Sequence, residues 1–337
     1  MKKGRYLILA FILSVSIVLI GFSFPSRARA DEPIKLVLYW LLGKETLQYR
    51  GLTIFMDGVE KRTNGQIRFK RYCCGSLGKE TETLENLRAG SIDFKCSGIG
   101  WWARYHKPID MIQLPYLFQD YDHVYKFAIS PLYEKLTKGL EKYNMKPIMQ
   151  FNAGFKDLSN SVKPIHSLDD VPKGLKIRVP PMPMNLAAWK AFGASPVALK
   201  PVELYMALKT GVVDAQENGP NNTKDMKLYE VQKYFSYIKY AWMGPLLVMN
   251  LQRWNTLPSD IQKIIKEEAA KGAKYTFDQG KKANDDALRW MEKEKGLVAD
   301  WNPDRESFKR RAEKVYRDCE KEPWYDAELV KKIKALK

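Results

Sequence analysis

Four cysteines, Cys73, Cys74, Cys96 and Cys319, are too few to staple a chain of 337 residues. Stability must therefore come from a buried apolar core, for which the length is ample. Histidine is as scarce: His106, His123 and His166 are scattered, and no Cys or His spacing matches a zinc site. Neither the G-x-S-x-G elbow nor the G-x-G-x-x-G loop occurs, which removes two familiar signatures of hydrolases and dinucleotide enzymes. Acidic pairs are thin. Asp169-Asp170 precedes Val171-Pro172 and reads as a solvated turn. A carboxylate pair assembled from distant positions would leave no local mark, but nothing recommends one. Beyond residue 30 no stretch is apolar enough to cross a bilayer. The reading is no catalytic apparatus, no cofactor and no metal.

What is present begins with a targeting segment. Lys2, Lys3 and Arg5 precede an apolar run over about 6–24, and Ala28-Arg29-Ala30 offers a small-x-small cleavage site. That is the pattern of a secretory signal peptide cut after Ala30, with no lipobox cysteine, and an uncleaved anchor as the competing reading. Its removal takes away five positive charges and no negative ones, so the formal charge falls from +17 to +12 over 307 residues. The basic excess is spread along the chain, densest near the C-terminus and without a nucleic-acid motif. It reads as a solvated face, and no nucleic acid is expected.

Strand-like and helix-like segments alternate from the mature start. Residues 34–42, 67–72 and 92–97 read as strands, and 45–63 and 78–87 as helices, the spacing of parallel crossovers. Trp40 ends the first strand, and Trp101 and Trp102 follow the third; each either walls a cleft or packs the core. If the second and third strands were neighbours, Cys96 would come near Cys73 or Cys74 for a bridge; free buried thiols are the equal alternative. Residues 132–143 read as helix, 146–151 as strand, and 226–231 as helix after a turn at 219–222. Residues 235–242 and 246–251 look extended. From Pro258 and Ser259, with Gln262 placed as in a capping box, a long helix runs to about 295.

The stretch 174–218, GLKIRVPPMPMNLAAWKAFGASPVALKPVELYMALKTGVVDAQEN, is the most informative. Residues 175–179 alternate like a half-buried strand, and Pro180, Pro181 and Pro183 forbid its continuation. Arg178 thus sits at a strand end, where its planar fork of donors suits a carboxylate; an ion pair within the fold is the competing use. Val212 to Ala215 reads as another short strand, with Gln216, Glu217 and Asn218 at its end. Polar groups at strand ends are the layout of a ligand crevice in an α/β sheet.

This stretch resembles the substrate-binding subunits of TRAP (tripartite ATP-independent periplasmic) transporters, the dicarboxylate-binding subunit family. FMDGVEKRTNGQIRFK (55–70), GSLGKETETLENLRAGSID (75–93), LPYLFQDYDHVYKF (114–127), AGFKDLSNS (153–161) and YEVQKYF (229–235) match the family pattern in the same order. The resemblance implies an α/β, two-lobed periplasmic-binding-protein fold with mostly parallel sheets, crossing strands and a long C-terminal spine helix. Lobe I is expected over 31–154 plus about 244–283, lobe II over about 155–243 plus 284–337. It further implies a periplasmic protein that closes on a small organic acid and delivers it to membrane permease subunits driven by an ion gradient. Arg178 would pair with the ligand carboxylate and Asn218 hydrogen-bond beside it, with Gln216 and Glu217 as further candidates. Lys156 stands where the family usually has an arginine, keeping the charge without the fork; a solvated loop residue is its other reading. Asn218 replaces the tryptophan of those members that hold a cation, and Pro201 replaces an aromatic. A monomer is expected rather than a dimer. The other functions weighed are a secreted enzyme acting on a carboxylated substrate and a binding protein feeding a sensor kinase.

Overall fold

The computed structural model describes residues 32–336, so the expected signal peptide lies outside the described residues. The first strands are β1 (Ile34–Trp40), β2 (Ile67–Cys73) and β3 (Phe94–Gly98), linked by helices Leu47–Arg62 and Glu80–Ala89 and paired in parallel. Helix ends follow local chemistry. The Thr46 hydroxyl accepts from the Tyr49 amide at the start of the first helix, and Gly90, in the left-handed region, ends the second.

Next come β4 (Met145–Gln150), β5 (Phe155–Asn160), β6 (Lys176–Val179), β7 (Ser195–Ala198) and β8 (Ala215–Glu217). They are followed by β9 (Tyr234–Trp242), β10 (Pro245–Asn250) and β11 (Val298–Asp300). Two sheets result, ordered β2-β1-β3-β10-β4 and β11-β9-β5-β8-β6-β7. Among the described residues five strand pairs are parallel and four antiparallel, so the sheets are mixed rather than mostly parallel. The cause is the chain's crossing between sheets. β10 returns directly from β9 and enters antiparallel to both β3 and β4, while β5 lies antiparallel to β8 and β9.

The two crossings run side by side. The Ala153 amide donates to the Met243 carbonyl at 2.9 Å, and the Met243 amide to the Gly154 carbonyl at 2.8 Å. Gly154 has φ +92°, and a Cβ there would sit 2.5 Å from Nδ2 of Asn284. The positive φ calls for glycine here, and a Cβ would also press on the Asn284 side chain.

The 37-residue helix Ser259–Lys295 is about 55 Å long at 1.5 Å per residue and spans both sheets. It buries Ile261, Ile265, Ala269, Ala273 and Phe277. Gly272, which weakens the helical pattern in sequence, meets helix Leu47–Arg62 so closely that a Cβ would lie 2.3 Å from the Gly51 carbonyl oxygen. Farther along, Asn284 accepts from the Asn221 amide at 3.2 Å, anchoring helix Pro220–Asp225, a segment that reads as a turn in sequence. The capping box does not form. Pro258 is the cap residue, and the Gln262 carboxamide donates to the carbonyls of Trp254 and Leu257 at 3.0 and 3.1 Å.

The cysteine expectation also needs correction: Cys73 bonds to its neighbour Cys74, and Cys96 is free and buried, as is Cys319. Strand order explains it. Trp40 of β1 stands in register with both Cys73 and Cys96, so these two lie two strand spacings apart, about 9–10 Å, beyond disulfide reach. No helix among the described residues is long and apolar enough to cross a membrane.

Candidate functional site

The strand ends and crossings enclose a cavity. Trp40, Gln48, Glu80, Ser97 and Trp101 line it from the first sheet's side, and Lys156, Arg178, Glu217 and Asn218 from the second's. Gly244 of the crossing also faces it.

Arg178 is the penultimate residue of β6: Val179 still pairs with Ala198, and Pro180, which has no amide, ends the ladder. The residue is 3 % exposed. Its Nε donates to the Leu199 carbonyl at 2.9 Å, while Nη2 is buried without any partner. Burial pushes its pKa down to about 10 against the pull of Glu217 and Glu203, so it stays cationic at neutral pH. A buried donor without an acceptor costs about 1–3 kcal/mol, and more when charged. Here that donor borders a cavity, where an anionic guest would complete it.

Glu217, at the end of β8, does not share that freedom. Oε1 accepts from Lys156 Nζ at 2.7 Å and from Asn185 Nδ2 at 2.7 Å. Oε2 accepts from Trp189 Nε1 at 2.5 Å and from the Tyr240 hydroxyl. Four protein donors occupy this carboxylate. Lys156 is buried in β5, not a solvated loop residue; burial lowers its pKa while Glu217 opposes the shift.

Asn218 borders the cavity at the end of a fixed chain of bonds. The Gln232 amide nitrogen donates to the backbone carbonyls of Val231 and Asp214, so its oxygen accepts from Ser159 Oγ at 2.9 Å. Ser159 Oγ accepts in turn from Gln216 Nε2 at 2.7 Å, and Gln216 Oε1 accepts from Asn218 Nδ2 at 2.6 Å. Asn218 is thereby oriented with Oδ1 and one N–H to spare. Gln216 is fully buried and does not line the cavity; it holds Asn218.

The tryptophans divide. Trp40 and Trp101 line the cavity, and Trp40 Nε1 donates to Thr46 Oγ1 at 3.1 Å. Trp102 is fully buried in the core, donating to the Ser97 carbonyl at 3.2 Å, and does not reach the cavity. Successive helical residues point about 100° apart, so Trp101 and Trp102 of the single turn Ile99–Trp102 cannot share one face. Pro201 does line the cavity, in the place where an aromatic was missing.

Sequence reasoning missed Asn185, Trp189, Tyr240, Gln48, Ser97, Glu80 and Lys95. Asn185 and Trp189 stand four apart on helix Pro183–Ala191 and so share a face, a signal that was available. Lys95 is a lone cation inside the doubly covered strand β3, which also marks it. Tyr240 carries no such mark.

Comparison with known proteins agrees with this geometry. Residues 40–322 match the family described as bacterial extracellular solute-binding protein, family 7. The 2,3-diketo-L-gulonate-binding periplasmic protein of Escherichia coli K12 is 31 % identical over 256 residues, 75 % of this chain and 77 % of that protein. The C4-dicarboxylate-binding periplasmic protein of Rhodobacter capsulatus is 29 % identical over 285 residues, 84 % of each chain. A TRAP periplasmic solute-binding protein from Polaromonas, solved with bound D-erythronate, superposes with a TM-score of 0.85 at 25 % identity, covering 90 % of this chain and 99 % of its own.

Proposed function

This chain belongs to the bacterial extracellular solute-binding proteins of family 7, the substrate-binding subunits of TRAP transporters, and from that premise we propose that it captures a small organic acid between two closing lobes. The family is one of transport proteins rather than enzymes, and its members work in the periplasm. The bound acid then passes to the membrane permease subunits of the transporter.

One observation carries the assignment: Arg178 is a buried cation at the cavity wall with Nη2 unpartnered, while the neighbouring Glu217 is held by Lys156. The guanidinium takes the ligand carboxylate, and Asn218 adds a hydrogen bond beside it. Trp40 and Trp101 cover the apolar part of the guest. Lys156 and Glu217 form part of the wall as a bonded pair, and Gln216 acts from behind it by holding Asn218. The D-erythronate in the Polaromonas neighbour, a small carboxylate, supports this reading.

Closure is driven by the ligand's better contacts with the closed state, and excluding water strengthens the Arg–carboxylate pair. The lobes divide at 31–154 plus about 244–283 and about 155–243 plus 284–337, and the mature chain begins after Ala30 and acts as a monomer. A thermal-shift screen of the mature protein against mono- and dicarboxylates tests the reading. A cognate acid at about 100 times its dissociation constant adds about 2.7 kcal/mol of stability. A panel in which no carboxylate raises the midpoint overturns it.

A further inference from the structure

The cleft holds a second buried ion pair, on the first sheet's side. Glu80 opens helix Glu80–Ala89 and Lys95 lies in β3, with Nζ 3.4 Å from Glu80 Oε2 and 4.7 Å from the centre of the Tyr39 ring. Their side chains are 7 % and 0 % exposed. Glu80 lines the cavity and Lys95 does not. Only one carboxylate oxygen of Glu80 faces the lysine; the other, Oε1, is buried with no donor. On the first sheet's side Ser97 Oγ and Gln48 Oε1 share this state, and across the cavity so does Asn222 Oδ1. Gln48 Nε2 donates to the Asn152 carbonyl at 3.2 Å, which fixes its oxygen as the free end.

Charge bookkeeping sharpens the picture. The ionisable side chains lining the cavity are Glu80, Lys156, Arg178 and Glu217, apart from the thiol of Cys96. Glu217 cancels against Lys156 and Glu80 against Lys95. Burial depresses the Lys95 ammonium and Glu80 opposes the shift, so the two stand together as one neutral unit. One uncompensated positive charge remains, on Arg178. A monoanion matches it. A dicarboxylate would bring a second negative charge toward Glu80 and the free Gln48 oxygen, with no further uncompensated cation in the wall to pair it.

We infer that the cleft selects hydroxylated monocarboxylates over dicarboxylates, with Arg178 taking the carboxylate and Glu80, oriented by Lys95, accepting a ligand hydroxyl together with Gln48 and Ser97. This rests on the carboxylate-binding reading and narrows it. Family membership leaves the choice open, since one relative is named for a diketo acid and another for C4-dicarboxylates.

Calorimetric titration with length-matched probes tests it: 2,3,4-trihydroxybutanoate, butanoate and succinate, then gluconate, hexanoate and adipate. In the native protein a hydroxylated acid binds at least about tenfold tighter than both length-matched partners, the value of one charge-assisted hydrogen bond. Glu80→Gln leaves Lys95 unpaired and moves the ratio toward the dicarboxylate by about tenfold or more. Should that variant misfold, Glu80→Gln with Lys95→Met removes the pair as a neutral unit; monocarboxylate binding then persists and the preference for hydroxyls is lost. A dicarboxylate that binds the native protein as tightly as the hydroxylated acid, or a ratio unmoved in the double variant, overturns this inference alone. If no probe binds at all, the carboxylate reading fails and this one falls with it.

Discussion

Lys156 and Glu217 meet at 2.7 Å in the cleft wall, and their pairing leaves Arg178 without an acidic partner among the described residues. Lys156 lines the cavity while giving one hydrogen bond to the Glu217 carboxylate. Both groups are nearly out of water, so the pair stands on geometry and on the three further donors to Glu217. Removing one partner strands a buried charge. Lys156→Met and Glu217→Gln each lower stability by about 3–5 kcal/mol in urea unfolding, and the double variant loses clearly less than the two losses added. Strict additivity would mean that the two residues are not coupled.

Binding should depend on alkaline pH in a way set by Arg178. Its pKa is lowered to about 10, mainly by burial, well below that of an ordinary guanidinium. The free protein loses this proton as pH rises through about 10, whereas a bound carboxylate holds it on. Affinity is therefore flat up to about pH 9 and falls by about tenfold per unit above the shifted value. The stability effect has the opposite sign. Between the shifted and ordinary values the unfolded chain binds more protons, so this residue's burden on the folded state eases as pH rises. Titrations paired with scanning calorimetry separate the two; affinity that holds steady past pH 10.5 would argue against a carboxylate on this guanidinium.

The glycine contact between the two long helices gives a test of packing. A Cβ at Gly272 would lie 2.3 Å from the Gly51 carbonyl oxygen, and backbone cannot yield as a side-chain tip does. Gly272→Ala is expected to cost about 1–3 kcal/mol despite the better helix propensity of alanine. Gly43→Ala, where no atom lies within 4 Å, is the matched control and stays near neutral. Chemical denaturation of the two variants reads the difference.

Much of this architecture was legible. The alternating 34–97 region, the strand that ends at Arg178 and the amphipathic stripe of helix Ser259–Lys295 all carry their pattern in nearby residues. Other features depend on partners far away in sequence. β5 looks like a loop because each of its six residues is buried and no alternation marks it. The partner of Glu217 lies 61 residues away, and that of Glu80 is found only when β3 packs under its helix. Trp102 was ambiguous beside Trp101 because a sequence does not state which way a single helical turn faces. The cysteine pairing turned on strand order, which local periodicity cannot supply.

That pairing is open to direct test. With Cys73 bonded to Cys74 and both Cys96 and Cys319 buried, iodoacetamide adds nothing to the native oxidised protein. Reduction without denaturant exposes two sites, mapped by mass spectrometry to the adjacent pair, and the remaining two react only after unfolding. A Cys96 peptide cross-linked to the Cys73-Cys74 peptide would contradict the strand order.

The most direct measurement is the dissociation constant of the best-bound carboxylate for Arg178→Ala beside the native protein. The account predicts weakening by roughly 2–5 kcal/mol, about thirtyfold or more, with the unfolding midpoint of the free protein kept or raised because an unpartnered buried donor is gone. Equal affinity in the two proteins would contradict it and move the carboxylate elsewhere in the cleft.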